Sequence, residues 1–393
     1  MNVLMLHSVG NCSASWPERY LSVTVAHFVS VCALLADARY RVLDLPAWLE
    51  SRGASDDERS RSFVLTFDDG YLDNWVFAFP ILKKYGLKAT IFVSPEFVDP
   101  RSIVRPTLGD VWEHRLRQDE LITLGYLSWD ELKVMQGSGV FDVQSHSMSH
   151  NYVFRSGNVL DFYCGQPGYG WLVRLERPEK KAFSLSEDQS DLVPTGFPVL
   201  ESDRALGCRA YLVDRELVDF LSSALEKRNG RSDPDGFREA GFRAVKDWGA
   251  RRGALGRFES DEEMGKRYRY EIAESKRIIE EKLQKRVEYL CWPGGAHTEL
   301  GLRLAEEAGY KATTLGSRYR GEGMVMNSKG PRISRRGLGS FVEVKGERYL
   351  VPDPQFLAKR VESLDGGFLS RAIFRLRISG YRLAARFGGL PRF

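Results

Sequence analysis

The 393-residue chain holds five cysteines (Cys12, Cys32, Cys164, Cys208 and Cys291), and no two of them form a C-x-x-C pair. An odd, scattered set argues against a disulfide framework or a zinc knuckle and reads as reduced thiols. No run of about 18 apolar residues occurs, which excludes a membrane-spanning helix. The opening Met1-Asn2-Val3-Leu4-Met5-Leu6-His7 lacks a basic start and a long apolar core. A secretory signal is therefore not expected, and the cytoplasm is the expected compartment. Excess charge is also missing: a net +4 does not by itself imply a nucleic-acid partner. Histidine is scarce, with six in the chain.

What is present suits an enzyme. With 43% hydrophobic and 28% charged residues the chain can bury a full core, as one large domain or two smaller ones. Phe63-Val64-Leu65-Thr66-Phe67 reads as a buried parallel strand that breaks at Asp68-Asp69-Gly70. Asn74 to Tyr85 has helical spacing and stops at Gly86, and Ala89–Val93 is the next strand. Ser128 and Glu131 fit a capping box for a helix running to Gly137, followed by a strand, Val140–Val143, that ends at Ser145-His146. Met264–Lys285 reads as one long helix feeding a strand at Val287–Cys291, then a helix at Leu300–Ala308 and a strand at Tyr310–Thr314. Strands alternating with helices predict a parallel sheet with helical crossovers. Each chemistry-bearing residue follows a strand, where a (β/α) barrel forms its active site.

Two motifs carry that chemistry. Thr66-Phe67-Asp68-Asp69-Gly70 sets adjacent carboxylates at a strand end, and Ser145-His146-Ser147-Met148-Ser149-His150 sets two imidazoles four residues apart. On a helical turn that spacing puts both rings on one face, within reach of one ion. One carboxylate with two imidazoles is a frequent catalytic set for zinc and related divalent metals, and the second carboxylate can act as base on activated water. Alone, Asp-Asp-Gly is most often a turn, and H-x-x-x-H more often surface or core. Their joint placement at successive strand ends is the stronger signal.

TFDDG followed by SHSMSH resembles the polysaccharide deacetylases with a NodB-type domain, carbohydrate esterase family 4. The segments Leu127–Leu132, Glu271–Lys285, Tyr289–Gly295, Ala305–Thr314 and the opening Leu6-His7-Ser8-Val9 resemble that family as well. The resemblance implies an α/β fold, a distorted (β/α) barrel of the NodB type, to which the residues outside the resemblance add a large insertion and a basic C-terminal helical tail. The barrel would comprise residues 1–150 and 265–345, the insertion 151–264 and the extension 346–393. It further implies Asp68 as catalytic base and Asp69, His146 and His150 as metal ligands. Pro293 and Trp292 would shape the substrate groove, and the Gly294 N–H would meet the developing oxyanion. The cofactor would be a divalent metal, zinc foremost, with cobalt, manganese, iron or nickel as alternatives. The implied activity is removal of an N-acetyl group from an amino sugar; the missing signal and the basic tail add the expectation that the sugar is part of a glycan or lipid-linked glycan precursor in making a cell-surface polysaccharide.

The sequence departs from the family at two points. No Leu-x-His motif supplies the general acid, which leaves His7 and His297 as candidates, each equally readable as structural. The usual arginine of the third motif is absent, Cys291 standing in its place, and Arg332 is the candidate to replace its charge.

Residues 151–264 are rich in Gly, Pro, Arg and aromatics without clean βα alternation, and read as an insertion over the barrel mouth or as a loop-rich excursion. From Gly366 to Phe393 there is no Asp or Glu but six arginines. Arg371, Arg375, Arg382 and Arg386 share one helical face, and Leu369, Ile373, Leu376, Leu383 and Phe387 lie largely on another. That pattern reads as an anchor on anionic lipid at the inner membrane face, or as a helix packed on the barrel with its arginines solvated. Deformylation or another non-peptide amide hydrolysis would use the same site, and a sugar-binding pseudoenzyme is a further reading.

Overall fold

The computed structural model describes residues 2–10, 16, 19–51, 55, 58, 60–166, 168–228, 230–315, 332–365 and 367–392. Cys12 lies outside them. Seven strands form the ring: β1 (Asn2–Leu6), β2 (Ser62–Phe67), β3 (Ala89–Val93), β4 (Phe141–Ser145), β5 (Tyr289–Leu290), β6 (Ala312–Leu315) and β7 (Arg332–Gly337). Each pairs in parallel with the next in the chain, and β7 returns to β1 with Val3 opposite Arg335, so the barrel closes. The joint between β4 and β5 rests on Leu290 opposite Ser145, which makes the ring irregular there.

Side-chain alternation along each strand builds two apolar layers. Val3, Val64, Phe92, Tyr289, Ala312 and Ile333 cluster together in the ring's interior. Leu4, Phe63, Leu65, Ile91, Phe141 and Leu290 belong to the larger cluster shared with the surrounding helices. Each such buried side chain contributes about 1.5–3 kcal/mol relative to exposure.

The predicted capping box is present, Ser128 accepting from the Glu131 N–H while Glu131 accepts from the Ser128 N–H. Three predicted elements differ. The helix predicted over Asn74–Tyr85 opens with a π-helical turn, Asn74–Ala78, and is α-helical only over Phe79–Tyr85. The long helix starts at Asp261, ends at Leu283, and is interrupted at Tyr270–Glu274 by a π-helical turn. The strand predicted over Val287–Cys291 pairs only at Tyr289–Leu290.

The described residues of 151–264 add no strand to the ring. Tyr152–Phe162 pairs antiparallel with Pro198–Arg204, and Tyr211–Val213 with Gly256–Phe258. Helices Arg215–Leu225 and Pro234–Arg252 pack there around Phe162, Leu217, Leu221 and Trp248. The C-terminal helix, Phe368–Arg386, docks on Phe356 through Phe374 and Tyr381.

Candidate metal and catalytic site

β2 delivers the two carboxylates in opposite senses. Asp68 continues the inward alternation of Val64 and Thr66, and its N–H still bonds to the Leu6 carbonyl. Asp69 then takes φ 72° and Gly70 φ 71°, which turns the chain and swings the second carboxylate to the mouth. A non-glycine residue at positive φ is uncommon and strained, a condition met most often at functional sites.

The histidines arrive differently from the predicted helical turn. Residues 146–150 form no helix: Ser147 has φ 64° and His150 φ 49°, so a loop with two left-handed residues folds the second imidazole back. Small hydrogen-bonding serines replace the helical ladder. Ser145 Oγ receives the Ser147 N–H, and Ser147 Oγ the His150 N–H. The result is the convergence that the spacing implied. His146 Nε2 lies 3.2 Å and His150 Nε2 3.3 Å from Asp69 Oδ1.

These three residues present one carboxylate oxygen and two imidazole nitrogens within 4.8 Å of one another. Borderline nitrogen and hard oxygen donors on one side of an open cavity fit a catalytic divalent cation. His146 Nδ1 donates to the Cys291 carbonyl at 2.8 Å, which fixes the ring with Nε2 toward Asp69. Burial and the nearby Arg204 guanidinium push the His150 pKa well down, toward the neutral ligand form. Asp68, His146 and Cys291 form a second geometric cluster. Asp68 is engaged elsewhere, however, and His146 turns Nε2 to Asp69, so the first cluster is the usable one.

Arg335, not Arg332, supplies the missing charge. Its Nη1 is 2.6 Å from Asp68 Oδ1 and its Nη2 2.8 Å from Oδ2, and Nη2 also lies 3.0 Å from Cys291 Sγ. Burial would raise the Asp68 carboxyl, but the Arg335 guanidinium, aided by His146, holds it below the usual carboxylate range. Arg332, one position before the inward-facing Ile333 and so on the other face of the strand, instead turns to His297, with Nη2 2.5 Å from its Nε2.

The other predicted residues separate into two groups. His7 lines the cavity, its Nε2 3.8 Å from Asp68 Oδ2. His297 does not line it. The ring stacks on Trp292 at 5.5 Å, and its Nδ1 lies 3.1 Å from the Gly295 carbonyl. Trp292 is 1% exposed and belongs to the larger apolar cluster, yet it also lines the cavity, as Gly294 does. Pro293 opens the turn Pro293–Gly295, in which Gly294 takes φ 58°. The turn favours glycine for its conformation, and a Cβ there would stand 3.0 Å from Arg204 Nε, tight enough to push that side chain aside.

The cavity is about 920 Å³, and the inserted segment forms much of its wall through Tyr152, Tyr163, Trp171, Arg174 and Arg204. Arg204 stacks on Tyr152 at 4.1 Å and reaches His150 Nδ1 at 3.1 Å. Beneath it lies a buried polar cluster that sequence reasoning missed. Glu271, in the π-helical turn, accepts from the Ser149 N–H at 3.0 Å and from its hydroxyl. Lys181 of the insertion is fully buried, bonding to Glu96 and, at 3.0 Å, to the Ser149 carbonyl. An acid on the apolar side of the predicted helix was the available signal for Glu271. Lys181 left none.

Residues 55–163 match the family described as polysaccharide deacetylase, a span that includes both motifs. The chain is 30% identical over 149 residues to a putative polysaccharide deacetylase, YxkH, of Bacillus subtilis; the match covers 38% of this chain and 42% of that relative. The chain thus spans less than half the length of this curated relative. Among solved structures, a de-N-acetylase from Aggregatibacter actinomycetemcomitans aligns over 88% of this chain and 97% of its own, at 15% identity and TM-score 0.49. The Streptococcus pyogenes deacetylase PplD aligns over 86% and 92%, at 14% identity and TM-score 0.43.

Proposed function

From the polysaccharide deacetylase match of residues 55–163, we propose that this chain hydrolyses the N-acetyl group of an amino sugar carried on a glycan or a lipid-linked glycan precursor. The observation that carries the reading is the convergence of Asp69, His146 and His150 beside an Asp68 held ionised by Arg335, all facing one cavity. Asp69, His146 and His150 would hold a divalent cation, zinc foremost, whose Lewis acidity serves the acetamide carbonyl and the attacking water.

The chain's own groups account for the proton and the geometry. Asp68, ionised and aimed into the cavity, takes the proton of the attacking water. The Gly294 N–H, on a turn whose positive φ favours glycine, stands at the cavity wall as an oxyanion donor. His7 is the better-placed group to protonate the departing amine, since His297 is held by Arg332 outside the cavity lining. Tyr152, Trp171 and Arg204 of residues 151–264 offer sugar-stacking faces and a cation for a phosphate or uronate, so the insertion sets substrate choice.

The test is acetate release from a panel of free, nucleotide-linked and lipid-linked N-acetylated sugars. Wild type and Asp68→Asn would be compared after loading with zinc, cobalt or manganese. Release by wild type that is lost in the variant supports the reading. No release from any sugar, with metal bound in both proteins, sinks it.

A further inference from the structure

The C-terminal helix carries two apolar stripes on opposite sides. One consists of Phe374, Ile378, Tyr381 and Ala385, and it is packed on the protein. The Phe374 and Tyr381 rings lie 5.8 Å and 5.5 Å from that of Phe356, and Tyr381 Oη donates to Asp353 at 2.7 Å. The other consists of Leu369, Leu376 and Leu383, seven residues apart. At about 100° per residue they stand opposite the docked stripe. They are 70%, 74% and 55% exposed, and the flanking Phe387 is 82% exposed. Packing on the barrel therefore explains one face of the helix and leaves the second apolar face in water.

Charge identifies what covers it. Arg371, Arg375, Arg382 and Arg386 form a row along one side of the exposed stripe, and residues 366–393 contain no Asp or Glu. We propose that this face seats the protein on an anionic lipid surface, the leucines and Phe387 entering the acyl boundary and the arginines meeting headgroup phosphates. A second copy of the chain is the competing occupant. Pairing two such stripes would bring rows of arginine together with no acid on the helix to offset them, which disfavours self-association. No described helix is long and apolar enough to cross a membrane, so the contact is peripheral.

The placement of the helix gives the contact a direction. Beyond its C-terminal end, the Pro391 carbonyl accepts from the Leu350 N–H at 3.0 Å, in the strand Glu347–Leu350. In that strand Arg348 lies over the Tyr20 ring at 4.7 Å, and Tyr20 lines the catalytic cavity. The segment that follows the helix thus pairs with a strand whose Arg348 reaches a residue of the cavity wall. That a lipid-borne amino sugar would be presented there rests on the deacetylase reading; the surface itself does not.

Co-sedimentation of the full chain with vesicles of phosphatidylcholine alone, or mixed with phosphatidylglycerol, tests the surface without any turnover assay. Wild type should partition roughly tenfold more onto the anionic vesicles, and Leu376→Asp with Leu383→Asp should remove that gain. Arg375→Glu with Arg382→Glu should remove it too. Hydrogen exchange of 368–387 in the wild type, slowed by anionic vesicles, supplies a readout that needs no variant to fold. Equal or absent partition, or exchange unchanged by vesicles, overturns the proposal. A wild-type dimer in sedimentation velocity that Leu376→Asp dissolves would assign the stripe to a second copy and overturn it as well.

Discussion

Arg335 on β7 and Asp68 at the end of β2 meet inside the barrel in a two-point clamp, both guanidinium nitrogens within 2.8 Å of the two carboxylate oxygens. Such a planar fork holds a base in one orientation as well as in one charge state. Removing one partner of a buried pair leaves the other uncompensated, at about 3–5 kcal/mol. Arg335→Met should therefore lower the unfolding free energy measured in urea by that amount and reduce kcat roughly a hundredfold or more. Arg335→Lys should keep much of the stability and lose most of the rate, because a single ammonium cannot orient both oxygens. Equal kcat in wild type and Arg335→Lys would show that the clamp sets charge alone.

Metal loading is predicted to depend on Asp69 and His150 but not on Asp68. In equilibrium dialysis with zinc, wild type and Asp68→Asn should each retain about one ion per chain. Asp69→Ala and His150→Ala should retain little. The same ion at about a hundred times its Kd should stabilise wild type by about 2.7 kcal/mol, a melting shift the ligand variants lack. Retention by Asp69→Ala equal to wild type would move the ion away from this cluster.

The two candidate acids are separable by rate. His7 faces the cavity 3.8 Å from Asp68, whereas His297 is held between Trp292 and Arg332. His7→Asn should lower kcat by roughly 10²–10⁴, the range for a lost general acid, with KM little changed. His297→Asn should act mainly on stability. The reverse pattern in acetate-release kinetics would assign the acid to His297.

Much of this was legible in the sequence because strand periodicity and cap chemistry are local. β2 and β3, the Ser128–Glu131 capping box and the stop at Gly86 were read from a few neighbouring residues, while the π-helical turn that opens the helix predicted over Asn74–Tyr85 was not. Arg335 was legible too, though it was passed over for Arg332. With Ile333 facing inward, period two puts Arg335 on the same face and Arg332 off it. The route by which His150 returns to Asp69 was not legible, since Ser147 and His150 adopt positive φ that no side-chain pattern announces. Lys181 was invisible for another reason. Its partners Glu96 and Ser149 lie 85 and 32 residues away and meet it only once the insertion folds back.

That return contact makes Lys181 a test of how the insertion supports the site. Its ammonium joins Glu96 to the Ser149 carbonyl, one residue before His150, while Glu271 holds the other side of Ser149. Lys181→Met should cost on the order of 3 kcal/mol in urea unfolding, since Glu96 and the Ser149 carbonyl lose their partner. Zinc affinity should fall with it by roughly tenfold, the lower end for lost support around a ligand. A stability loss with unchanged zinc affinity would confine Lys181 to packing.

The pH dependence of folding should report His27. Its Nε2 donates to the Asp353 carbonyl at 2.7 Å, and its Nδ1 accepts from Ser340 at 2.8 Å and Thr24 at 2.9 Å, so the neutral ring is fully bonded. Burial pushes its pKa below 6.5, outweighing the Asp353 carbonyl and carboxylate. The sign follows from proton counting. Between the lowered folded pKa and the unfolded value near 6.5, the unfolded chain binds a proton that the folded chain does not. Stability from this group is therefore complete above about pH 6.5 and declines as pH falls, by up to about 1.4 kcal/mol per pH unit. Urea unfolding at intervals from pH 7.5 to 5, as approximate limits around the unfolded value, should show that slope in wild type. His27→Gln should be less stable at the top of the range, having lost the ring's bonds, and flatter below it. Parallel slopes in the two proteins would place the acid sensitivity in other groups.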